Sequence, residues 1–214
     1  RKAKIAEVNL EGVKGFKVKK LVKKMKNRPK KIYAPAELDN DLKELETFYK
    51  NNGYSDFKLE SSSVTFNEDK SKVFVTAVLT EGQQRRFGAT AFAGNTVYTS
   101  KDLLALLEYR RGKLFNQEKF DDTLRALQDK YADKGYLKAL LLPDKVPNDA
   151  TGELDINFSV TENNPIYVGN IDIAGNKATK TYVLRREIAQ KEGEVFSSGK
   201  IRRSQEKLFN LGFL

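Results

Sequence analysis

Acid–base, nucleophilic and metal chemistry depend on a small set of side chains, and this 214-residue chain has no His and no Cys. That excludes Cys nucleophiles, disulfide frameworks, Cys-based zinc sites and any mechanism with a His base or ligand. The one notable carboxylate pair is Asp121-Asp122. Neighbours in sequence do not face each other on a helix, so the pair is not set up to share a proton. Gly12-Val13-Lys14-Gly15 is a Gly-x-x-Gly, which in one class of RNA-binding domain joins two helices and clamps backbone. Here it follows a strand pattern and has no counterpart later in the chain, so it reads as a loop. The expectation is a protein that is not an enzyme and carries no cofactor or metal.

Charge is unevenly placed. The net charge is +10, yet residues 1–31 hold 13 Lys/Arg against Glu7 and Glu11, while the rest has 26 basic and 27 acidic residues. Lys17, Lys19, Lys20, Lys23, Lys24 and Lys26 form a basic face around the apolar Val18, Leu21, Val22 and Met25, whose spacing predicts a helix. Such a face suits an anionic membrane surface, an acidic partner or nucleic acid, or is simply a solvated surface. Nucleic acid is not expected as a partner: stacking platforms need aromatics among the lysines, and only Phe16 is near.

The elements that position these residues repeat. Leu10-Glu11-Gly12, Phe92-Ala93-Gly94 and Ile173-Ala174-Gly175 begin each copy; Gly53-Tyr54, Gly135-Tyr136 and Gly212-Phe213 come late in each. Gly12 and Gly94 are 82 residues apart, Gly94 and Gly175 81. Units of that length can each bury a small core. The expected division is 1–83, 84–164 and 165–214, the last a partial unit without its closing hairpin; with a start at Arg1, this reads as a segment of a longer protein. No apolar run is long enough to span a bilayer.

Each unit opens on an alternating strand (Val8 and Leu10; Thr90 and Phe92; Ile171 and Ile173). A first helix follows, ended by Pro29, Gly112 or Gly193. A second helix carries Leu38, Leu42, Leu45 and Tyr49, matched by Phe120, Leu124, Leu127 and Tyr131, and in the third unit by Ile201, Leu208 and Leu211. The Gly-aromatic pairs then read as helix exits. Two strands close the unit: Asp56–Phe66 and Val73–Leu79 in the first, Leu137–Leu142 and Leu154–Val160 in the second, the latter pair joined through Pro147–Gly152. The fold class is therefore α+β, with tandem β-α-α-β-β domains, each a three-stranded sheet covered on one face by two helices.

This order of signals resembles the POTRA domain of BamA-like outer-membrane protein assembly factors, over essentially the whole chain. Tyr182-Val183-Leu184-Arg185-Arg186-Glu187-Ile188, Gly193 and Glu206-Lys207-Leu208-Phe209-Asn210-Leu211-Gly212-Phe213 are similar to the POTRA domain beside the barrel. The first unit departs from the pattern in lacking the Gly-Asn turn. The resemblance implies a periplasmic location, attachment to the outer membrane through a barrel absent from this sequence, and two kinds of partner: unfolded outer-membrane proteins and accessory lipoproteins. A related two-partner secretion or organellar import translocator, and a basic nucleic-acid-binding repeat protein, are the competing readings.

A three-stranded sheet has edges, and an edge can pair with an extended polypeptide by β-augmentation. The second strand of each unit is the expected edge, with Phe57, Leu59, Val64, Phe66, Leu137, Ala139 and Leu141 as client-strand residues; ordinary core packing accounts for the same side chains. Lys58, Ser61–Ser63 and Lys138 also fit a role as guards against unwanted pairing. Arg185, Arg186, Glu187 and Glu192, placed on the first helix of the third unit, are the candidate docking residues for an accessory lipoprotein, as the resemblance implies; an ordinary charged helix face fits them too.

Overall fold

The structure, a computed structural model, describes residues 3–176 and 179–210. The first repeat contains β1 (Lys4–Glu11), α1 (Val18–Val22), α2 (Pro35–Lys50), β2 (Lys58–Phe66) and β3 (Lys72–Thr80). The second contains β4 (Arg86–Ala93), α3 (Ser100–Leu104), α4 (Gln117–Ala132), β5 (Leu140–Asn148) and β6 (Glu153–Thr161). The third contributes α5 (Thr181–Glu187) and α6 (Ser198–Asn210). By packing, the chain forms two compact units. One holds the first repeat through Ala89 with Tyr109–Phe120 and Val146–Asp155; the other holds Thr90–Glu108, Asp121–Lys145 and the chain from Ile156 on.

The two sheets have the orders β1-β3-β2 and β4-β6-β5. In the first, β3 runs parallel to β1 and antiparallel to β2. The last strand is central because it alone alternates without interruption: Val73, Val75, Ala77 and Leu79 all face inward and are buried. They pack with Ile5, Val8 and Leu10 of β1, and with Leu38, Leu42, Leu45 and Tyr49 of α2. Full burial of a side chain of this size contributes about 1.5–3 kcal/mol. Leu154, Ile156, Phe158 and Val160 of β6 repeat the pattern.

Gly12 and Gly94, at the ends of β1 and β4, have φ of +86° and +82°. A Cβ at either would overlap a carbonyl oxygen of the central strand, that of Leu79 or Val160. The turn thus needs glycine twice over, for its left-handed backbone and for the close approach. At the helix exits, Tyr54 N–H donates to Tyr49 C=O at 3.1 Å and Tyr136 N–H to Tyr131 C=O at 3.0 Å, the six-to-one bond of a Schellman turn. Gly212-Phe213 and Leu211 lie outside the described residues.

Several expectations change. The lysine-rich helix stops at Val22; Met25 is buried beyond it, in a turn. The amides of Lys26 and Asn27 donate to the Asp41 carboxylate, at 2.6 and 2.8 Å, instead of continuing a helix. α3 and α5 also end early, so Gly112 and Gly193 lie in the loops between helices, and the residue of the first repeat that shares their positive φ is Lys30, not Pro29. β5 begins at Leu140 and extends through Pro143 and Pro147, so Leu137 and Ala139 precede it and Pro147 belongs to the strand rather than to the turn. Proline is tolerated there because an edge strand has amides that need no ladder partner. Around Ile171 and Ile173 no strand forms. In the first sheet the equivalent strand is held by the repeat's last strand; among the described residues no strand pairs with this segment.

Candidate functional site

The candidate site is the set of sheet edges. Of the two outer strands in each sheet, β1 and β4 are partly covered. The loop between the two helices bridges them in antiparallel fashion, Lys4 with Ile32 and Arg86 with Leu114; Tyr167 and Val195 make the same bridge in the third repeat. Ile5 and Phe87 donate their amides into these loops, to Lys31 C=O and Lys113 C=O, both at 2.8 Å. Among the described residues no strand or bridge occupies the outer side of β2 or β5.

The predicted edge residues divide on inspection. Phe57 is buried in the core and stacks on Tyr49 with ring centroids 4.4 Å apart; it precedes β2 and cannot meet a client strand. Leu59 and Val64 are half-buried and pack against the core from within β2. Phe66 is 48% exposed at the end of β2, edge-on to Tyr33 at 6.1 Å. Leu141 is buried, whereas Leu140, Leu142 and Val146 of β5 are exposed. The register of β2 against β3 shifts between Leu59 and Ser61, a bulge of the kind that edge strands use to resist unwanted pairing.

The two edges differ chemically. β2 is nine residues without a proline, so each outward position has an N–H. In β5, Pro143 and Pro147 fall on positions of the same parity. Proline has no N–H to give, and the side of an edge strand that can spare one is the outer side. The edge of β5 therefore offers fewer donors to an added strand.

A carboxylate at the end of each central strand fixes this arrangement, and sequence reasoning missed it. Glu81 is buried and accepts from the amides of Lys14 and Gly15, each at 2.9 Å, and from the Tyr49 hydroxyl at 2.7 Å. Glu162 accepts from the amides of Thr96 and Val97 at 2.8 and 2.9 Å, from the Thr96 hydroxyl, and from the Tyr131 hydroxyl at 2.9 Å. Each glutamate thus ties the loop after the first strand to the second helix and the central strand. Within the Gly-x-x-Gly, the amides of Lys14 and Gly15 are thus satisfied inside the chain. Burial pushes the Tyr49 and Tyr131 hydroxyls up, and the adjoining carboxylates push the same way. Burial also acts to raise Glu162, but the hydrogen bonds outweigh it and hold its carboxyl below the usual range. The signal was available: Thr80-Glu81 and Thr161-Glu162 are 81 residues apart.

The second helices carry another unpredicted equivalence. Asp41, Thr123 and Ser204 are buried, and each accepts an amide near the end of the preceding helix: Lys26 and Asn27, Glu108 at 2.9 Å, and Ala189 at 2.8 Å. The repeats are joined by matching bonds as well. Within the first compact unit, Arg85 N–H donates to Gly53 C=O at 2.8 Å, and Asn51 Oδ1 accepts from Glu118 N–H at 3.0 Å. Within the second, Ile166 N–H donates to Gly135 C=O at 2.8 Å, and Asp133 Oδ1 accepts from Gly199 N–H at 2.6 Å. The end of one repeat's helix thereby caps the start of the next repeat's second helix.

In the third repeat Arg185, Arg186 and Glu187 lie on α5, but Glu192 lies in the loop beyond it. Arg185 and Glu192 are 3.6 Å apart and bracket the backbone of one residue: Arg185 donates to Ile171 C=O at 3.0 Å, and Glu192 accepts from Ile171 N–H at 2.9 Å. Arg186 pairs with Glu187 at 3.3 Å. Of the basic face, Lys26 pairs with Glu37 at 2.7 Å; Lys17, Lys19, Lys20, Lys23 and Lys24 are exposed with no ion pair among the described residues. Asp122 is engaged with Arg125. Among the described residues no cluster of three or more Asp or Glu could hold a metal, and no helix is long and apolar enough to cross a membrane.

Comparison with known proteins fits this geometry. The pattern of the POTRA family, described as "Surface antigen variable number repeat", matches residues 3–82, 86–163 and 166–214. The chain belongs to the POTRA domain family. It is 29% identical over 223 residues to the outer membrane protein assembly factor BamA of Neisseria meningitidis serogroup B, covering 100% of this chain and 28% of that protein. It is 31% identical over 186 residues to a putative outer membrane protein assembly factor of Treponema pallidum, covering 85% of this chain and 22% of that protein. The chain thus spans less than a third of the relatives it matches. Among solved structures, Haemophilus influenzae BamA POTRA3-5 superposes with a TM-score of 0.81 at 25% identity, covering 100% of this chain and 87% of that one.

Proposed function

We propose that this chain is the POTRA segment of a BamA-like outer-membrane assembly factor, a periplasmic scaffold that binds unfolded outer-membrane polypeptides by strand addition. The observation that carries the reading is the outer side of β2, unpaired among the described residues and rich in donors, on a sheet whose other edge is bridged by its own loop. Main-chain bonding there gives affinity with little demand on client sequence, which suits many clients. Leu59, Val64 and Phe66 flank the pairing groups, and Phe66 offers an apolar contact at the strand end. Because of Pro143 and Pro147, β5 is the weaker acceptor. Arg185, Arg186, Glu187 and Glu192 form a charged surface on the third repeat to which an accessory lipoprotein docks.

The test leaves the protein unaltered. A peptide with the alternating pattern of a barrel strand is titrated into the chain and followed by amide chemical shifts. The expected result is perturbation of residues 58–66 ahead of residues 140–148. The same peptide methylated at alternate backbone nitrogens should not bind. Equal binding of the methylated peptide, or shifts confined to β5, would overturn the assignment.

A further inference from the structure

The basic segment of the first repeat has a structural role too small to explain its charge. The segment is held in place by Leu21 and Met25, both buried, and by the bonds of the Lys26 and Asn27 amides to Asp41. None of these needs a lysine side chain. The second repeat builds the same short helix with Lys101 and a capping box of Thr99 and Asp102, and the arginines of α5 have acidic partners in Glu192 and Glu187. Only in the first repeat do five exposed lysines (Lys17, Lys19, Lys20, Lys23 and Lys24) gather with no ion pair among the described residues.

We propose that this surface binds the anionic headgroups of a phospholipid membrane. Two observations select lipid over other anionic partners. First, the free charges of the cluster are lysine: the neighbouring Arg28 spends its guanidinium on the Lys23 carbonyl, to which it donates at 3.0 Å. An ammonium on a flexible stem is a point charge that adapts to phosphates in a fluid array, whereas fixed carboxylates or phosphates on a protein are better met by the planar fork of arginine. Protein interfaces are correspondingly enriched in Arg and depleted in Lys. Second, the aromatic rings here are already covered. Lys20 Nζ lies 5.6 Å from the Phe16 ring and 5.7 Å from the Phe48 ring, and Lys24 Nζ lies 4.6 Å from Phe48. Rings capped in this way are poorly placed to stack nucleic-acid bases or to anchor a protein partner. What remains is a shallow, salt-sensitive surface of positive charge. The proposal does not rest on strand pairing at β2.

The experiment is co-sedimentation of the full chain with vesicles of equal parts phosphatidylglycerol and phosphatidylcholine, against pure phosphatidylcholine. The chain should partition to the anionic vesicles at low salt and be released as salt rises. Each lysine near a strongly anionic surface is worth about fivefold. Replacing all five with Gln should therefore weaken partitioning by up to about 3,000-fold, and by about 25-fold even if only two face the bilayer at once. A control with the same charge loss, Lys101, Lys113, Lys119, Lys138 and Lys191 each to Gln, should change it by less than about fivefold. Replacing the five patch lysines with Arg should retain binding, which separates charge from any folding defect of the Gln variant. The proposal is overturned if the chain ignores anionic vesicles, or if the control loses as much as the patch variant. It is overturned equally if polyglutamate or a single-stranded oligonucleotide binds more tightly than the vesicles at equal anion concentration.

Discussion

The Gly-Asn turn allows one substitution to be compared in two settings. Gly94 and Gly175 share the left-handed backbone, with φ of +82° and +84°. Alanine at either position incurs about 1–2 kcal/mol for that conformation. At Gly94 the new methyl also overlaps the Val160 carbonyl oxygen, so the end of β4 must separate from β6; at Gly175 no atom of the described residues beyond its chain neighbours lies within 4 Å. Overpacking of this kind adds about 1–3 kcal/mol. Gly94→Ala is therefore expected to cost about 2–5 kcal/mol, and Gly175→Ala only about 1–2 kcal/mol. Because repeats can unfold separately, the assay is amide hydrogen exchange read segment by segment, alongside urea denaturation. Gly94→Ala should accelerate exchange in residues 153–161, and Gly175→Ala should leave that strand unchanged. Equal costs for the two variants would show that backbone conformation alone, and not the approach of the central strand, demands glycine.

The glutamate latch predicts that Tyr131→Phe destabilises the second repeat by about 1.5 kcal/mol, since it removes a hydrogen bond to a charged, half-buried carboxylate. A double-mutant cycle with Glu162→Gln should show coupling above about 0.5 kcal/mol; additive losses would mean the hydroxyl and carboxylate act separately. Asp133→Ala should cost about 0.5–2 kcal/mol through the lost cap and loosen residues 198–201 in hydrogen exchange, while Asp133→Asn keeps the acceptor and most of the protection. Acid should act on the same two carboxyls. In Asp133 and Glu162 burial works upward but is outweighed by hydrogen bonds, so both titrate below their ordinary values. Their stabilisation is thus complete above the unfolded carboxyl range, about pH 4, and disappears as pH falls through the lowered folded values. Exchange near residues 96–97 and 198–201 should rise only below about pH 4; an onset near neutrality would contradict the bond pattern.

The sequence by itself determined the repeat, the α+β class, the helix exits at Gly53 and Gly135, and the central place of the strands at Val73 and Leu154. These are local or periodic properties: alternation marks a strand buried on one face, and a left-handed exit requires a particular residue. It also located the excess charge, because charge is additive along a chain. It misplaced β5, where Pro143 and Pro147 argue against a strand whose edge position excuses them. It overextended the first helix, because the amides that would prolong it are taken by Asp41, fifteen residues from Lys26. It gave a strand to Ile171 and Ile173, whose alternation finds no ladder among the described residues. Only the tertiary structure decided that Glu81 and Glu162 latch each sheet to its helices, that the interhelix loop bridges β1 and β4, and that β2 is left open. Each of these outcomes depends on groups more than twenty residues apart, and a backbone hydrogen bond to a distant partner leaves no periodic mark on the sequence that makes it.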